Sequence, residues 1–311
     1  MGDVLAVADE VRAALAERRG DVALETSVIG QGLPSSRNEE CLRRMCDAIR
    51  DVGAVPAWVG VVDGRVVVGL GESALARFCA PGASGAAVSK VARRDLPIAV
   101  ATMALGATTV SATIWAAAAA GVRVGATGGV GGVHPGEHPD VSADLVALAS
   151  TPGLLVCSGP KSIVDPATTT ERLEELGVAI VGYGVDRLPF FLTTEAPVDL
   201  EHRADSPEQA AAMLDASLSL GSDSTVVVCN PVPVAFAMDA AEVARAALEA
   251  ERRADRATAF GKARTPFLLS ALAELTDGRS LEANLALLEA NARVAAEVGV
   301  AHAARAGSTE A

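Results

Sequence analysis

Three shortages bound what this chain can be. Aromatic residues make up only 3% of its 311 residues, although half are hydrophobic. Such a core relies on small branched side chains, which suits helices packed closely on a sheet. Paired cysteines are missing too: Cys41, Cys46, Cys79, Cys157 and Cys229 are odd in number, scattered and without a C-x-x-C step. That pattern argues against a disulfide framework or a zinc knuckle, and it suits a reducing cytoplasm. Positive charge is the third shortage. A net charge of -13 and a pI near 4.8 leave no basic stripe to displace counterions, so no nucleic acid partner is expected.

Export and membrane signals are lacking as well. The opening MGDVLAVADEVRAALAERRG carries acids early and reads as an amphipathic helix, not as a basic start with an apolar middle. Leu96 to Val122 holds no charge, but Gly106, Ser111, Gly121 and the Thr108-Thr109 pair break it into strand, turn and helix. Buried core is expected there, and no membrane partner.

What is present alternates. Asp21 to Val28 reads as a short strand, and AVPAWVGVVDGRVVVGL as two strands around an Asp63-Gly64 hairpin turn. Next come DLPIAVATM as a strand, SATIWAAAAAG as a helix, VRVGATG as a strand and a short helix through Leu148. The strand GLLVCSG, the helix TTTERLEELG closed by Gly177, the strand VAIVGY, the helix SPEQAAAMLDASLSLG and the strand STVVVCNPV continue the rhythm. Short apolar strands separated by helices predict an α/β fold, a mostly parallel sheet covered on both faces. From Asp239 onward the chain reads as helical, with starts at Thr265-Pro266 and Ser280. We read a single domain over 1–311 with a helical flank over about residues 239–306, and a frayed end at AGSTEA.

In such a sheet, ligands bind beyond the carboxyl ends of the strands. There Glu25, in ALETSVIGQGLP, is either an edge carboxylate facing water or a general acid in a partly apolar setting. Lysine usage is more informative. Of 26 basic residues only Lys90, Lys161 and Lys262 are lysines, so a lysine here points to a need for an amine that can deprotonate. Lys161 follows the strand LLVCSGP and suits a nucleophile, or a solvent-facing strand end. Lys90, with Arg93 and Arg94, either grips a phosphate or forms a solvated basic helix end, and Lys262 reads as structural. Thr108, Thr109 and Ser111 offer hydroxyls and helix-start amides to an anion, or plain capping.

The stretch TGGVGGVHPGEHPDVSADL matches neither Walker A nor the dinucleotide fingerprint. His134 and His138 are four apart, but Pro135, Gly136 and Pro139 forbid a regular helix between them, which weakens a two-histidine zinc site. With a helix starting near Val141, Asp140 and Asp144 would share the face of its first turn, capping it or binding a hard cation with waters.

In order, ALETSVIGQGLP, SKVARRDLP, GATTVSATI, ATGGVGGVHPG, DVSADL, SGPKSIVD, CNPVP, TPFLL and SLEANLALLEANA resemble one known family. It is the pseudouridine-5'-phosphate glycosidase family, also known as indigoidine synthase A-like proteins, and the resemblance runs from about Asp21 to about Ala295. The resemblance implies a three-layer α/β/α sandwich around a mostly parallel mixed sheet, a homotrimer, and reversible conversion of pseudouridine 5'-phosphate to uracil and ribose 5-phosphate. It implies Glu25 as proton donor, Lys161 as the nucleophile forming an imine with ribose, and Lys90 as a substrate-binding lysine. It further implies substrate contacts at Val110, Ser142, Ala143 and Asp144, and manganese on Asp140.

Two departures concern the substrate. Pro135 stands where catabolic members commonly carry a basic residue, and GYGVDRLPFFLTTE has its own wording, with an Asp186-Arg187 charge pair. C-glycosynthases of natural-product pathways, which join ribose 5-phosphate to nucleobase-like or aromatic acceptors, use the same scaffold, so the acceptor stays open. Two rival readings are a lysine-based Schiff-base aldolase, which would need no metal, and a non-catalytic phosphosugar-binding module.

Overall fold

The computed structural model describes residues 4–80, 87–136, 140–259 and 261–308. In its first half, β1 (Leu5–Val7), α1 (Asp9–Ala16), β2 (Asp21–Glu25) and α2 (Ser35–Arg50) precede the hairpin β3 (Val55–Val62) and β4 (Arg65–Val68). Then come α3 (Glu72–Cys79), β5 (Val88–Val91), α4 (Leu96–Ala101), β6 (Leu105–Thr108), α5 (Val110–Ala120) and β7 (Val124–Ala126). The second half holds α6 (Ala143–Ala149), β8 (Gly153–Cys157), α7 (Pro166–Glu175), β9 (Ile180–Tyr183), β10 (His202–Ala204), α8 (Pro207–Ser219) and β11 (Thr225–Cys229). It closes with α9 (Ala240–Arg256), α10 (Arg264–Leu275) and the long α11 (Arg279–Ser308).

The strands form one mixed sheet in the order β1-β4-β3-β2-β7-β8-β11-β9-β10, with β6 pairing β3 and β5 beyond it. Among the described residues only β3 with β4 and β3 with β6 run antiparallel. Side chains alternate between faces, as the pleat requires. Leu154, Val156, Val226 and Val228 pack on one side with α2, α8 and α11. Leu155, Cys157, Val227 and Cys229 pack on the other with Leu145, Leu148 and Leu173 of α6 and α7. The first half continues that second face, where Ala57, Val59 and Val61 meet Ala112 and Ala116 of α5. The result is the expected α/β/α sandwich around a mostly parallel sheet.

One feature of the sheet positions the site. β2 runs beside the first half of β3, from Asp21 opposite Val55 to Glu25 opposite Val59. Past that point β6 takes its place, pairing Gly106 and Ala107 with Val61 and Gly60. The two strands meet end to end at Val59, whose carbonyl accepts from the hydroxyls of both Thr26 (2.7 Å) and Thr108 (2.6 Å). This junction opens a crevice at the carboxyl end of β2, the kind of discontinuity at which α/β sheets bind ligands.

Two sequence expectations need correction. The N-terminal stretch is not one helix: Leu5–Val7 pairs in parallel with Val66–Val68, and the helix is only Asp9–Ala16. DLPIAVATM is not a strand but the helix α4, with Pro97 in its first turn, Leu96 and Ala99 buried and Ile98 64% exposed. Proline in the first turn and this one-sided burial both suit a helix; the strand is the next stretch, LGAT. The charge-free run is otherwise core as expected, and no helix among the described residues is long and apolar enough to cross a membrane. At the hairpin, Asp63 and Gly64 both have positive φ (50° and 75°), the requirement of a type I′ turn. At the C-terminus α11 continues to Ser308, past the expected fraying point.

Candidate active site

Glu25 is the last residue of β2 and is 5% exposed. Its position inside the sheet, between β3 and β7, excludes the reading as an edge carboxylate. Ser27 donates its hydroxyl to Glu25 Oε2 at 2.7 Å, and Thr127, just past β7, donates to Oε1. Two hydroxyl donors therefore fix the carboxyl group in a largely dry setting.

Lys161 reaches the same place from β8. The chain leaves the strand through Gly159, whose φ is 75° and where a Cβ would stand 1.8 Å from the Pro189 carbonyl oxygen. No other residue fits so tight a turn. The Lys161 N–H bonds the Val130 carbonyl at 3.0 Å, and its Nζ donates to the Gly129 carbonyl. The glycine run is thus a wall that receives the lysine. At Gly131 a Cβ would meet Ser142 Oγ at 2.3 Å, so the wall can stand close to the start of α6 only because it lacks side chains there.

Lys90 projects from β5, a strand and not the helix end weighed from sequence. Burial pushes its amine below the usual lysine range, and the neighbouring Lys161 cation adds to the shift. Its companions diverge. Arg93 stacks over Trp115, 6.0 Å from the ring centroid, and donates to Ser150 Oγ at 2.7 Å, while Arg94 lines the cavity.

Asp144 is buried. Its Oδ1 accepts from the Ser111 N–H (3.1 Å) at the start of α5, and its Oδ2 from the Gly131 N–H (3.0 Å). Both oxygens are engaged in tying the glycine wall to α5, so Asp144 braces the site. Ser142 caps α6, accepting from the Asp144 N–H at 3.2 Å. That helix begins at Ala143, so Asp140 lies ahead of it and shares no helical face with Asp144. Asp140 is exposed, and its carbonyl accepts from the His134 N–H at 2.9 Å.

These residues line one cavity of about 200 Å³: Glu25, Lys90, Asp140, Ser142, Ala143, Asp144 and Lys161 all face it. Val110 does not. Its side chain is buried among Ile114, Leu145 and Leu148, which leaves only its backbone, at the start of α5, for any ligand. His134 faces the cavity too, with Nδ1 3.5 Å from Glu251 Oε1. His138 lies outside the described residues. Lys262 pairs with Asp95 at 2.8 Å, the structural role expected of it, and also lines the cavity. Asp186 and Arg187 do not pair with each other: Arg187 bonds Glu195 (2.9 Å) and Asp199, Asp186 bonds Arg203 (2.9 Å), and neither lines the cavity.

Sequence reading missed Asn291. Fully buried on α11, it donates to the Thr127 carbonyl at 2.8 Å and to Ser158 Oγ at 3.1 Å, and accepts from Asn230 Nδ2 at 3.0 Å. One amide therefore knots the turns after β7, β8 and β11. The only sequence signal was a polar residue inside an apolar helical stripe.

Among the described residues no three His, Cys, Asp or Glu side chains come together in a metal-binding cluster. Asp140 offers an exposed carboxylate at the cavity wall, which fits a hard cation that keeps most of its waters and does not fit a closed protein cage.

Residues 10–301 match the family described as "Indigoidine synthase A like protein". Among curated relatives, a pseudouridine-5'-phosphate glycosidase of Hahella chejuensis is 42% identical, covering 97% of this chain and 99% of that one. One of Myxococcus xanthus is 46% identical, covering 96% and 98%. The solved prealnumycin C-glycosynthase AlnA, in complex with ribulose 5-phosphate, superposes with a TM-score of 0.88 at 38% identity, covering 98% of this chain and 99% of that one. An indigoidine synthase A-like protein of Thermotoga maritima superposes with a TM-score of 0.86 at 36% identity, covering 96% of each chain.

Proposed function

The chain belongs to the indigoidine synthase A-like family, and on that premise we propose that it is a pseudouridine-5'-phosphate glycosidase, a carbon-carbon bond enzyme working reversibly between pseudouridine 5'-phosphate and uracil plus ribose 5-phosphate. The observation that carries this reading is the convergence of the Glu25 carboxyl group with the Lys90 and Lys161 amines on a single cavity.

The chemistry explains the equipment. An ordinary glycosidase protonates a leaving oxygen between two carboxyl groups, but a C-glycoside has no such oxygen in the bond to be broken. An electron sink is needed. In the cleavage direction Glu25 gives its proton to the ribose ring oxygen as the ring opens, and the Lys161 amine adds at C1'. Breaking the carbon-carbon bond leaves its electron pair on the uracil ring carbon, which takes a proton from water, while the nitrogen lone pair closes the C1'=N imine. Water then hydrolyses the imine and returns the lysine. A guanidinium could not play this part.

Lys90 and the backbone at the start of α5, around Val110, would take the phosphate. Ser142, Ala143 and Asp144 would border the substrate, with Asp144 acting through the wall it braces. Manganese on Asp140, when bound, would supply positive charge and ordered water to substrate polar groups. A homotrimer and a cytoplasmic setting complete the reading; the exposed Ile98, Met103 and Val146 are surfaces an assembly could cover, and the five cysteines are unpaired.

A second reading, C-glycosynthesis onto another acceptor, is favoured by the likeness to AlnA over 98% of this chain. The experiment is to incubate the protein with ribose 5-phosphate, manganese and uracil and to look for pseudouridine 5'-phosphate by mass. Its appearance supports the first reading. Its absence, with ribosylation of a different ring, supports the second.

A further inference from the structure

Hydrolysis of the Lys161 imine needs a base, because a water molecule must give up a proton as its oxygen adds to C1'. The acids of the cavity are committed elsewhere. Glu25 holds a hydroxyl on each carboxyl oxygen, and Asp144 holds a backbone N–H on each. Asp140 is the exposed carboxylate proposed for the metal. His134 is differently placed. It lines the cavity while its Nδ1 is sealed inside the protein, so Nε2 is the ring nitrogen left to a molecule in the cavity.

Behind the ring stands Glu251 of α9. Its Oε1 lies 3.5 Å from His134 Nδ1, and neither atom meets a hydrogen-bond partner among the described residues. Buried polar atoms are rarely left in that condition. An N–H on Nδ1 aimed at the carboxylate, with the gap closing toward the roughly 2.7–3.2 Å of an ordinary bond, satisfies both. It also sets the tautomer: the proton sits on Nδ1, and the lone pair of Nε2 faces the cavity.

Both ends of the pair are anchored. The His134 N–H is on the Asp140 carbonyl at 2.9 Å, and the preceding Val133 donates to Thr169 Oγ1 at 3.0 Å and accepts from the Asp165 N–H at 2.9 Å. Glu251 Oε2 accepts from Arg264, which also donates to Asp255 at 3.0 Å and to the Ala259 carbonyl at 3.2 Å. A chain of side chains thus runs from α10 through α9 to the cavity wall.

We propose that His134 is the general base for hydrolysis of the Lys161 imine and that Glu251 is its positioning residue. The inference rests on the reaction proposed above, since it concerns the imine formed there. Nε2 takes a proton from water as the water oxygen bonds to C1' of the protonated imine, and the C1'=N electron pair moves to nitrogen. His134 then gives that proton to the lysine nitrogen. The C1'–N bond breaks onto this nitrogen while the new hydroxyl oxygen forms the aldehyde C=O and releases its own proton to water. Lysine and histidine both return to their starting states.

The test separates carbon-carbon cleavage, which comes first, from hydrolysis, which follows. Pseudouridine 5'-phosphate is mixed, at saturating manganese, with the wild type, His134→Ala, Glu251→Ala and Glu251→Gln. Both alanine variants should release the first uracil per active site within about threefold of the wild-type rate. They should then slow to a steady state about a hundredfold (His134→Ala) and about tenfold (Glu251→Ala) below it. Borohydride added in that steady state should label Lys161 in a larger share of each alanine variant than of the wild type. Glu251→Gln keeps an oxygen for the Nδ1–H and should recover most of the lost rate. Arg264 retains Asp255 in both Glu251 variants, so that anchor survives. A structural defect lowers the first turnover with the rest and gives no burst, so an alanine variant of His134 without burst and accumulated label overturns the proposal. A Glu251→Ala variant that turns over like the wild type, or one that Glu251→Gln does not improve on, overturns the positioning role. A wild type that releases no uracil and takes no label overturns the underlying reaction instead.

Discussion

The hydroxyl of Thr127 donates its hydrogen to Oε1 of Glu25, joining the turn after β7 to the end of β2. The backbone of Thr127 is in turn held by Asn291, which also holds Ser158 on the turn that delivers Lys161. The proposed acid and the proposed nucleophile are therefore set by one network. Thr127→Val should lower kcat on the order of tenfold or more, the cost of one lost hydrogen bond to a catalytic group, with KM for the phosphosugar little changed. Thr127→Ser should restore most of it. Steady-state kinetics on the three proteins checks this.

The knot itself is the next target. Asn291→Leu removes an amide with partners on three turns and leaves their polar groups buried without it. Unfolding free energy should fall by roughly 3 kcal/mol, a loss that denaturant titration reads directly.

Lys90 differs from Lys161 in what it should control. Lys90→Met should raise KM for ribose 5-phosphate about tenfold while still allowing imine formation, since a charge-assisted phosphate contact is lost and the nucleophile is not. The two constants, measured separately, distinguish the roles.

Much of this was legible in the sequence, and the parts that were not share a physical cause. Lys161 and Glu25 stood out because a lysine in an arginine-rich chain and an acid ending an apolar strand both break a local pattern. The parallel strands β8 and β11 were legible as unbroken apolar runs, being buried on both faces. By contrast α2 received no assignment, because it buries only Asn38, Cys41, Met45, Ala48 and Ile49 along one narrow stripe among charged residues. Strand β5 was hidden because VSKV is polar and lies at the rim of the sheet. The bracing by Asp144 and the knot at Asn291 involve backbone groups far away in the chain, and no spacing rule reports such contacts.

Stability should depend on pH through Asp21, at the opposite end of β2 from Glu25. Burial pushes its carboxyl up to about 7 from a usual value of 3.8. A raised carboxyl binds its proton more tightly when folded, so stability is fully present below 3.8 and is lost as pH rises toward 7, by on the order of 4 kcal/mol at most. Asp21→Asn should remove that slope, raising Tm at pH 8 and changing it little at pH 4. Thermal melts across this range decide it.

Metal dependence should follow Asp140. Chelation should depress turnover and manganese should restore it, whereas Asp140→Ala should be slow and insensitive to added metal. Titrating manganese into the two proteins, with activity as the readout, separates them.

The central claim is that Lys161 carries the sugar as an imine. Incubation with ribose 5-phosphate, reduction with borohydride and peptide mass mapping should place one reduced phosphopentose on Lys161 and none on Lys90 or Lys262, with no adduct in Lys161→Ala. A wild-type protein left unlabelled, or labelled equally in the Lys161→Ala variant, would contradict it.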